Sequence, residues 1–465
     1  MLKTKKIVFI GAGSTIFGLR TMAHVIRTPG LKGSTIALVD VNTELLRLMH
    51  QLWGKASQYY KSDLKIISSP ERQEVMSEAD FVIISIAVDR EDLWEKYDVN
   101  IPLKYGIKHH GENGGPGGML HFFRNIHLFL PIIRDIEKYC PQAWVLNYTN
   151  PMTKVCSLFN RNSKIMTVGV CHQIHYGYAI VGMVLGNELG IPVEKRHFPF
   201  QYTAETVYYW YHTLPHLVKK IVDLKAAGIN HFSFMQELRL RSTGESIQQH
   251  FYDELRKMPA DFERLSREFL DIFGIFPITG NEHMSEYLGY CVQENYKQFD
   301  RYGLHFYGYS ISKERKARQV SHIRELISGT KSMEELKNED SEWAEIIMEG
   351  MTLHKDTYLP LLNLPNKGQI FNLPLNTVVE TPAMINARGP QPIQCPDLPI
   401  PVAELCRRQL EITDLQIQAG IEGSRSKALQ ALLLDPTVTD TAACRKMLDE
   451  MLEANQNFVG NFFKS

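Results

Sequence analysis

Four apolar residues, Ile7 to Ile10, run directly into Gly11-Ala12-Gly13-Ser14, and this junction limits the possible folds more than any other stretch of the chain. A short buried strand followed by glycines at alternate positions lets the backbone turn sharply. Its N–H groups can then approach a pyrophosphate, with the N-terminus of a helix expected over 16–27 facing the charge. The G-x-G-x-x-G spacing is incomplete, because Ile16 stands at the third glycine position and Gly18 follows two positions later. The signal gains from a second apolar run, Ile36 to Val39, which ends in Asp40, where a carboxylate accepts hydrogen bonds from an adenosine ribose. An acid there also disfavours a 2′-phosphate, so NAD is expected rather than NADP. Apolar runs at 65–68 and 81–86 continue the alternation of strand and helix, and predict a Rossmann-like dinucleotide-binding domain over 1–191.

Two later runs deliver polar groups where open α/β sheets hold their ligands, at the carboxyl ends of strands. Ala143 to Leu146 is followed by Asn147, Tyr148, Thr149 and Asn150, and Ile165 to Val170 by Cys171 and His172, a soft thiol beside an imidazole. Between them, His109-His110-Gly111-Glu112-Asn113-Gly114-Gly115-Pro116-Gly117-Gly118 reads as a glycine-rich loop able to lie close against a ligand, before a helix over 120–139. From about residue 192 the composition shifts to longer helices and mixed strands, predicting a second, α+β lobe over 192–465. There Gly228-Ile229-Asn230-His231-Phe232 sets a histidine in apolar surroundings. Helices are expected over 245–257 and 259–273, and strand-rich chain over 364–383. The stretch 280–287 carries Asn281, Glu282, His283, Glu286 and Tyr287, with Glu282 and Glu286 expected to share a helix face at i, i+4.

Composition narrows the partners. Lys plus Arg number 51 against 52 for Asp plus Glu, and without a run of like charge neither nucleic acid nor an anionic membrane surface is expected. The seven cysteines show no paired spacing, which predicts reduced thiols and a cytoplasmic setting. No apolar stretch approaches the roughly 20 residues that span a bilayer.

Taken in order, GAGS at 11–14, Asp40, IPLKYG at 101–106, GGPGG at 114–118, NYTNPM at 147–152, VGVCH at 168–172, GINHF at 228–232 and NLP…VVET within 372–381 resemble glycoside hydrolase family 4 over nearly the whole chain. The resemblance implies a lactate/malate dehydrogenase-like α/β fold, bound NAD, Mn²⁺ or another divalent metal, and a homodimer or homotetramer. It also implies a redox route to hydrolysis: hydride transfer from sugar C3 to NAD, metal-assisted deprotonation at C2, elimination of the aglycone, addition of water and return of the hydride. By motif, Cys171 and His231 are the implied metal ligands and His172 the implied general acid. Asn147 is the implied cofactor contact, and Glu112, Asn113, Asn150 and Gln173 are the implied substrate contacts. The implied base position is occupied by Asn281, which cannot take a proton, so the role falls to Glu282, His283 or Tyr287. The implied substrate is a small non-phosphorylated α-glycoside, either a uronide or a galactoside or glucoside. The competing expectation is an NAD-dependent 2-hydroxy acid dehydrogenase of the malate or lactate type.

Overall fold

The structure, a computed structural model, describes residues 4–463 except 89, 199, 201–202, 293–296, 306–308, 340 and 342. Its sheet begins with the predicted strands: β1 (Lys6–Ile10), β2 (Thr35–Val39), β3 (Lys65–Ser69), β4 (Phe81–Ile84), β5 (Trp144–Asn147) and β6 (Met166–Gly169). They are parallel in the order β3-β2-β1-β4-β5-β6. The near-continuous apolar runs follow from burial on both faces. Ile7, Phe9, Ile36, Leu38 and Ile83 enter one core cluster, while Val8, Ile10, Ala37, Val39 and Ile84 enter a second on the opposite face. The order reverses between β1 and β4, and the glycine turn sits at that switch point, where such sheets bind ligands.

Gly11 adopts φ +88, and a Cβ there would stand 2.0 Å from the Ser85 carbonyl oxygen after β4. Glycine is therefore required twice over, by conformation and by space. The Gly13 N–H donates to Asp40 Oδ2 at 2.8 Å and the Asn42 N–H to Asp40 Oδ1 at 2.8 Å, so Asp40 ties the glycine turn to the end of β2. Ser14 Oγ accepts from the Phe17 N–H at 3.3 Å, at the start of the helix Phe17–Val25.

The same sheet continues through the rest of the chain. β7 (Val222–Ile229), β8 (Phe232–Leu240), β9 (Thr357–Pro365), β10 (Val378–Asn386) and β11 (Gly389–Pro392) extend it in the order β6-β9-β10-β7-β8, all antiparallel, with β11 on β10. Single residue pairs make two of these joins, Gly169 with Asn363 and Glu380 with Gly228. They bring the β7–β8 hairpin beside the end of β6. Among the described residues no helix is long and apolar enough to cross a membrane, and all seven cysteines are free.

Several element boundaries differ from expectation for local reasons. The helix expected over 259–273 starts at Arg264, because Glu263 holds φ +44 and interrupts it. The strand-rich stretch expected over 364–383 is two strands, parted by a turn in which the Asn366 amide donates to the carbonyls of Ile370 and Leu373 at 2.9 Å each. The stretch Gly115–Gly118, expected in a glycine-rich loop before a helix over 120–139, is the first turn of the helix Gly115–Tyr139. Its glycines permit close packing: a Cβ on Gly118 would lie 2.6 Å from the Asn113 carbonyl, and one on Gly114, just before the helix, 2.6 Å from the Glu286 carbonyl.

Candidate active site

Cys171 and His231 stand 60 positions apart in sequence, yet Cys171 Sγ lies 3.4 Å from His231 Nε2. Cys171 arrives at the carboxyl end of β6, and His231 ends the two-residue connection between β7 and β8 at φ +59, an uncommon conformation for a residue with a Cβ. The hairpin tip is pinned from below by a buried carboxylate. Glu380 accepts from Asn230 Nδ2 at 2.9 Å, Asn363 Nδ2 at 2.9 Å and Ser233 Oγ at 2.6 Å. Burial raises the pKa of Glu380, and its three hydrogen bonds make it a support for the turn. Of the seven cysteines Cys171 alone is not buried, whereas burial pushes Cys140 up to about 11 and Cys156 to about 12.

Around His231 the polar groups converge. Its Nδ1 lies 2.9 Å from the Asn113 side-chain amide and 3.2 Å from His283 Nδ1. Glu112 Oε1 accepts from Asn150 Nδ2 at 3.1 Å, and Glu112 Oε2 stands 3.7 Å from His110 Nε2 and 4.0 Å from His283 Nδ1. Ligand atoms of Glu112, His231 and His283 lie within 4.8 Å of one another. Burial, and then the neighbouring His283, lower His231 to about 3, so its ring is neutral. One thiol, neutral imidazole and a carboxylate suit a borderline divalent cation.

Glu286 organises the other side. Its Oε2 accepts from the backbone N–H groups of Glu112 (2.9 Å), Asn113 (2.6 Å) and Gly114 (2.9 Å), and its Oε1 lies 3.0 Å from His283 Nδ1. Burial alone would raise this carboxyl, but the His283 hydrogen bond and the imidazoles of His110 and His283 bring it down to about 2. For His283 burial lowers and Glu286 and Glu112 raise, with a net upward shift. The buried Lys154 donates to the Asn113 carbonyl, and burial lowers that ammonium to about 8.

A small cleft beside this cluster is lined by His110, Tyr176, Tyr211, Thr279, Glu282 and His283. The His172 ring lies 6.0 Å from that of Tyr211, one of the cleft's walls. A larger cavity of about 420 Å³, between Gly106–Ile107 and the 437–440 turn, has no histidine in its walls and none of this cluster.

Comparison with known proteins identifies the family. Residues 6–184 match the model of the family 4 glycosyl hydrolases, and residues 226–438 match the model of that family's C-terminal domain. The chain belongs to family 4 of the glycosyl hydrolases. It is 30% identical to an alpha-glucosidase of Erwinia rhapontici over 99% of both chains. It is 27% identical to an alpha-galacturonidase of Bacillus subtilis over 96% of this chain and 97% of that one. The crystal structure of Bacillus subtilis lplD superposes with a TM-score of 0.80 at 25% identity, over 97% of this chain and 100% of that one. A Thermotoga maritima 6-phospho-beta glucosidase, solved with manganese, NAD⁺ and glucose-6-phosphate, shares the fold at 19% identity and TM-score 0.75, over 98% and 99% of the two chains.

As a family 4 enzyme the chain is a glycoside hydrolase, and its fold is the expected Rossmann-like α/β architecture with a C-terminal domain. The structure brings Cys171, His231, His283, Glu112, Asn113 and Asn150 into one network, with Gly11, Gly13, Ser14 and Asp40 at the switch point. Gln173 lies beside it and donates to the Thr279 carbonyl at 2.7 Å.

Three expectations need correction. Asn147, the implied cofactor contact, is fully buried, its amide donating to the Thr149 carbonyl at 2.9 Å while its oxygen accepts from the Thr149 N–H at 3.2 Å, so in this structure it shapes the strand-end turn. Tyr287 donates to the Asn230 carbonyl at 3.0 Å, and burial, then the charges of Glu286, Glu380 and Glu112, raises its pKa, so its hydroxyl is a buried donor tied to the hairpin tip. Glu282 and Glu286 do not share a helix face: the helix is only Asn281–Ser285, and Glu286 beyond it is fully buried. Asn281 is a structural tie, its oxygen accepting from the N–H and hydroxyl of Ser266 at 3.0 Å each. Sequence reasoning missed Glu286 and Lys154 as parts of the site, and its one local signal was the i, i+3 spacing of His283 and Glu286.

Proposed function

We propose that this enzyme hydrolyses a small non-phosphorylated α-glycoside with NAD and a divalent metal, Mn²⁺ by preference. The observation that carries the reading is the 3.4 Å approach of Cys171 Sγ and His231 Nε2 at the carboxyl edge of a dinucleotide-type sheet. The relatives solved with NAD and manganese support the same cofactors. Names of the more similar relatives, alpha-glucosidase, alpha-galactosidase and alpha-galacturonidase, support a non-phosphorylated substrate. The residues fit both groups: the Gly11–Ser14 turn and Asp40 would hold NAD, and Cys171 with His231 would hold the metal. When bound, NAD supplies reversible hydride transfer at sugar C3, and the metal supplies Lewis-acid polarisation of the adjoining sugar oxygens.

The chain's own groups then divide the proton work. Glu282, the one carboxylate lining the cleft among its described walls, takes the C2 proton. His172 gives a proton to the departing aglycone oxygen. Asn150, Glu112 and Gln173 orient sugar hydroxyls, and His283, held by Glu286, flanks the metal position. We place the boundary between the lobes at 191/192, supported by β1–β6 lying before it and β7–β11 after it. Two copies or four are proposed for the assembly, in the cytoplasm.

The test is aglycone release from paired α- and β-glucosides, galactosides, galacturonides and 6-phosphoglucosides, with NAD⁺ and Mn²⁺ added singly and together. Release from an α-glycoside that needs both, without accumulation of NADH, is the expected outcome. Net NADH formation on a 2-hydroxy acid, with no glycoside cleaved, would establish the dehydrogenase reading instead. In the same assay Glu282→Gln is expected to lower kcat by about 10²–10⁴-fold, the range general-base removal produces. A Glu282→Gln enzyme that still exchanges the C2 hydrogen with D₂O at the wild-type rate would move the base to another residue.

A further inference from the structure

His231 can hold a metal beside Cys171 only in one of its two neutral tautomers. Its Nε2 faces Cys171 Sγ at 3.4 Å, so the lone pair must sit there and the ring proton on Nδ1. That proton needs an acceptor, because an N–H aimed at another donor in a buried site is costly. Within reach of Nδ1 stand His283 Nδ1 at 3.2 Å and the Asn113 carboxamide at 2.9 Å.

His283 cannot accept. Its Nδ1 lies 3.0 Å from Glu286 Oε1, and a carboxylate kept ionised by three backbone N–H groups only accepts, so His283 Nδ1 carries a hydrogen in either charge state of the ring. Asn113 can. Its nitrogen and oxygen are nearly equal in size, and the hydrogen-bond network alone fixes which of them faces the imidazole. With its nitrogen toward Nδ1, Asn113 selects the tautomer that turns an N–H on Cys171. Rotated by half a turn, it accepts from Nδ1 and frees Nε2 for the metal.

We propose that Asn113 is a positioning residue for the metal site, its side-chain oxygen accepting the Nδ1–H of His231 and thereby fixing the ligating tautomer. The proposal rests on the reading of Cys171 and His231 as metal ligands. Asn113 is held for this task along its backbone. The N–H donates to Glu286 Oε2 at 2.6 Å, the carbonyl accepts from Lys154 Nζ, and the missing side chain of Gly118 leaves room for it, since a Cβ there would lie 2.6 Å from the Asn113 carbonyl carbon. The carboxamide can turn about its own axis, but the residue cannot slide away.

The experiment is Mn²⁺ titration calorimetry on the full-length, NAD-loaded, chelator-stripped protein, with wild type beside Asn113→Leu, Asn113→Asp, His231→Ala and Cys171→Ser. Asn113→Leu leaves the Nδ1 proton without an acceptor and is expected to raise the Mn²⁺ Kd by about 10–100-fold, the range for lost outer ligand support. Asn113→Asp offers only acceptors and is expected to keep the Kd within about threefold of wild type. NAD affinity, read by fluorescence, should be unchanged in both. Wild-type Mn²⁺ binding by Asn113→Leu overturns the proposal. So does loss of tenfold or more in Asn113→Asp, which decides the matter even if Asn113→Leu fails to fold. If His231→Ala and Cys171→Ser bind Mn²⁺ like wild type, the metal reading itself fails, a result separable from any effect at Asn113.

Discussion

His231→Ala is expected to abolish specific Mn²⁺ binding and to lower the metal-stimulated kcat by about a thousandfold or more, since a Lewis acid contributes several kcal/mol and about 1.4 kcal/mol is tenfold. The physical reason is the pairing with Cys171 Sγ at 3.4 Å: one soft thiolate alone does not retain a borderline cation in water. The fold should survive. The Asn230 side chain, which anchors the hairpin to Glu380, is untouched, and Ala meets the same strain at φ +59 that His already bears. Calorimetry of Mn²⁺ binding, circular dichroism and kcat together test this. Mn²⁺ affinity within a few fold of wild type, in a folded variant, would refute the placement of the metal.

Glu286→Ala is expected to cost the largest share of stability of any single change at the site, about 3–5 kcal/mol, because it leaves buried donors without an acceptor and a buried imidazole without its counter-ion. Three backbone N–H groups and His283 Nδ1 all lose the same carboxylate. Activity should fall with it, since that carboxylate fixes both the Glu112–Gly114 turn and the His283 ring. The pH dependence has a definite sign. Glu286 is depressed from 4.5 to about 2, so its contribution is fully present above about pH 4.5 and drains away as pH falls toward 2. At 1.36 kcal/mol per unit, the shift corresponds to about 3 kcal/mol. His283, raised above 6.5, works oppositely: its contribution is full below that value and is lost as pH rises through its folded pKa. Wild type should therefore lose Tm on acidification below pH 5 more steeply than Glu286→Gln. Parallel Tm profiles for the two proteins would show that the carboxylate is not what the turn and the imidazole rely on.

Much of the dinucleotide half was legible along the chain, for reasons that act within a few residues. Gly11 must be glycine because of its own φ and because the Ser85 carbonyl passes 2.0 Å from where a Cβ would be. Asp40 announces itself by ending an apolar run, and it does tie the glycine turn. Periodicity located all six parallel strands to within a residue or two, since strands buried on both faces read as short apolar runs. The GGPGG stretch reads as able to lie close against a ligand; the structure sets Gly114 against Glu286, Gly115 against His109, Gly117 against the Asp98 carbonyl and Gly118 against Asn113, neighbours that no local pattern names.

Short windows of sequence thus settled the parallel order's raw material, the glycine turn and its acid, because backbone conformation and strand burial are local properties. The site itself belongs to contacts across 60 to 174 positions: Cys171 with His231, and Glu286 with the amides of Glu112, Asn113 and Gly114. Whether a carboxylate shares a helix face with its i, i+4 neighbour, as expected of Glu286, or is the buried acceptor of four donors depends on which distant groups surround it. The Thr149 backbone engages Asn147 and the Asn230 carbonyl engages Tyr287, whereas Glu282 lines the cleft, and none of these placements can be read from the residue's own neighbourhood in sequence. Hydrogen-bonding capacity is written in the residue type, but the partner that satisfies it is chosen only when the strands and the hairpin close together.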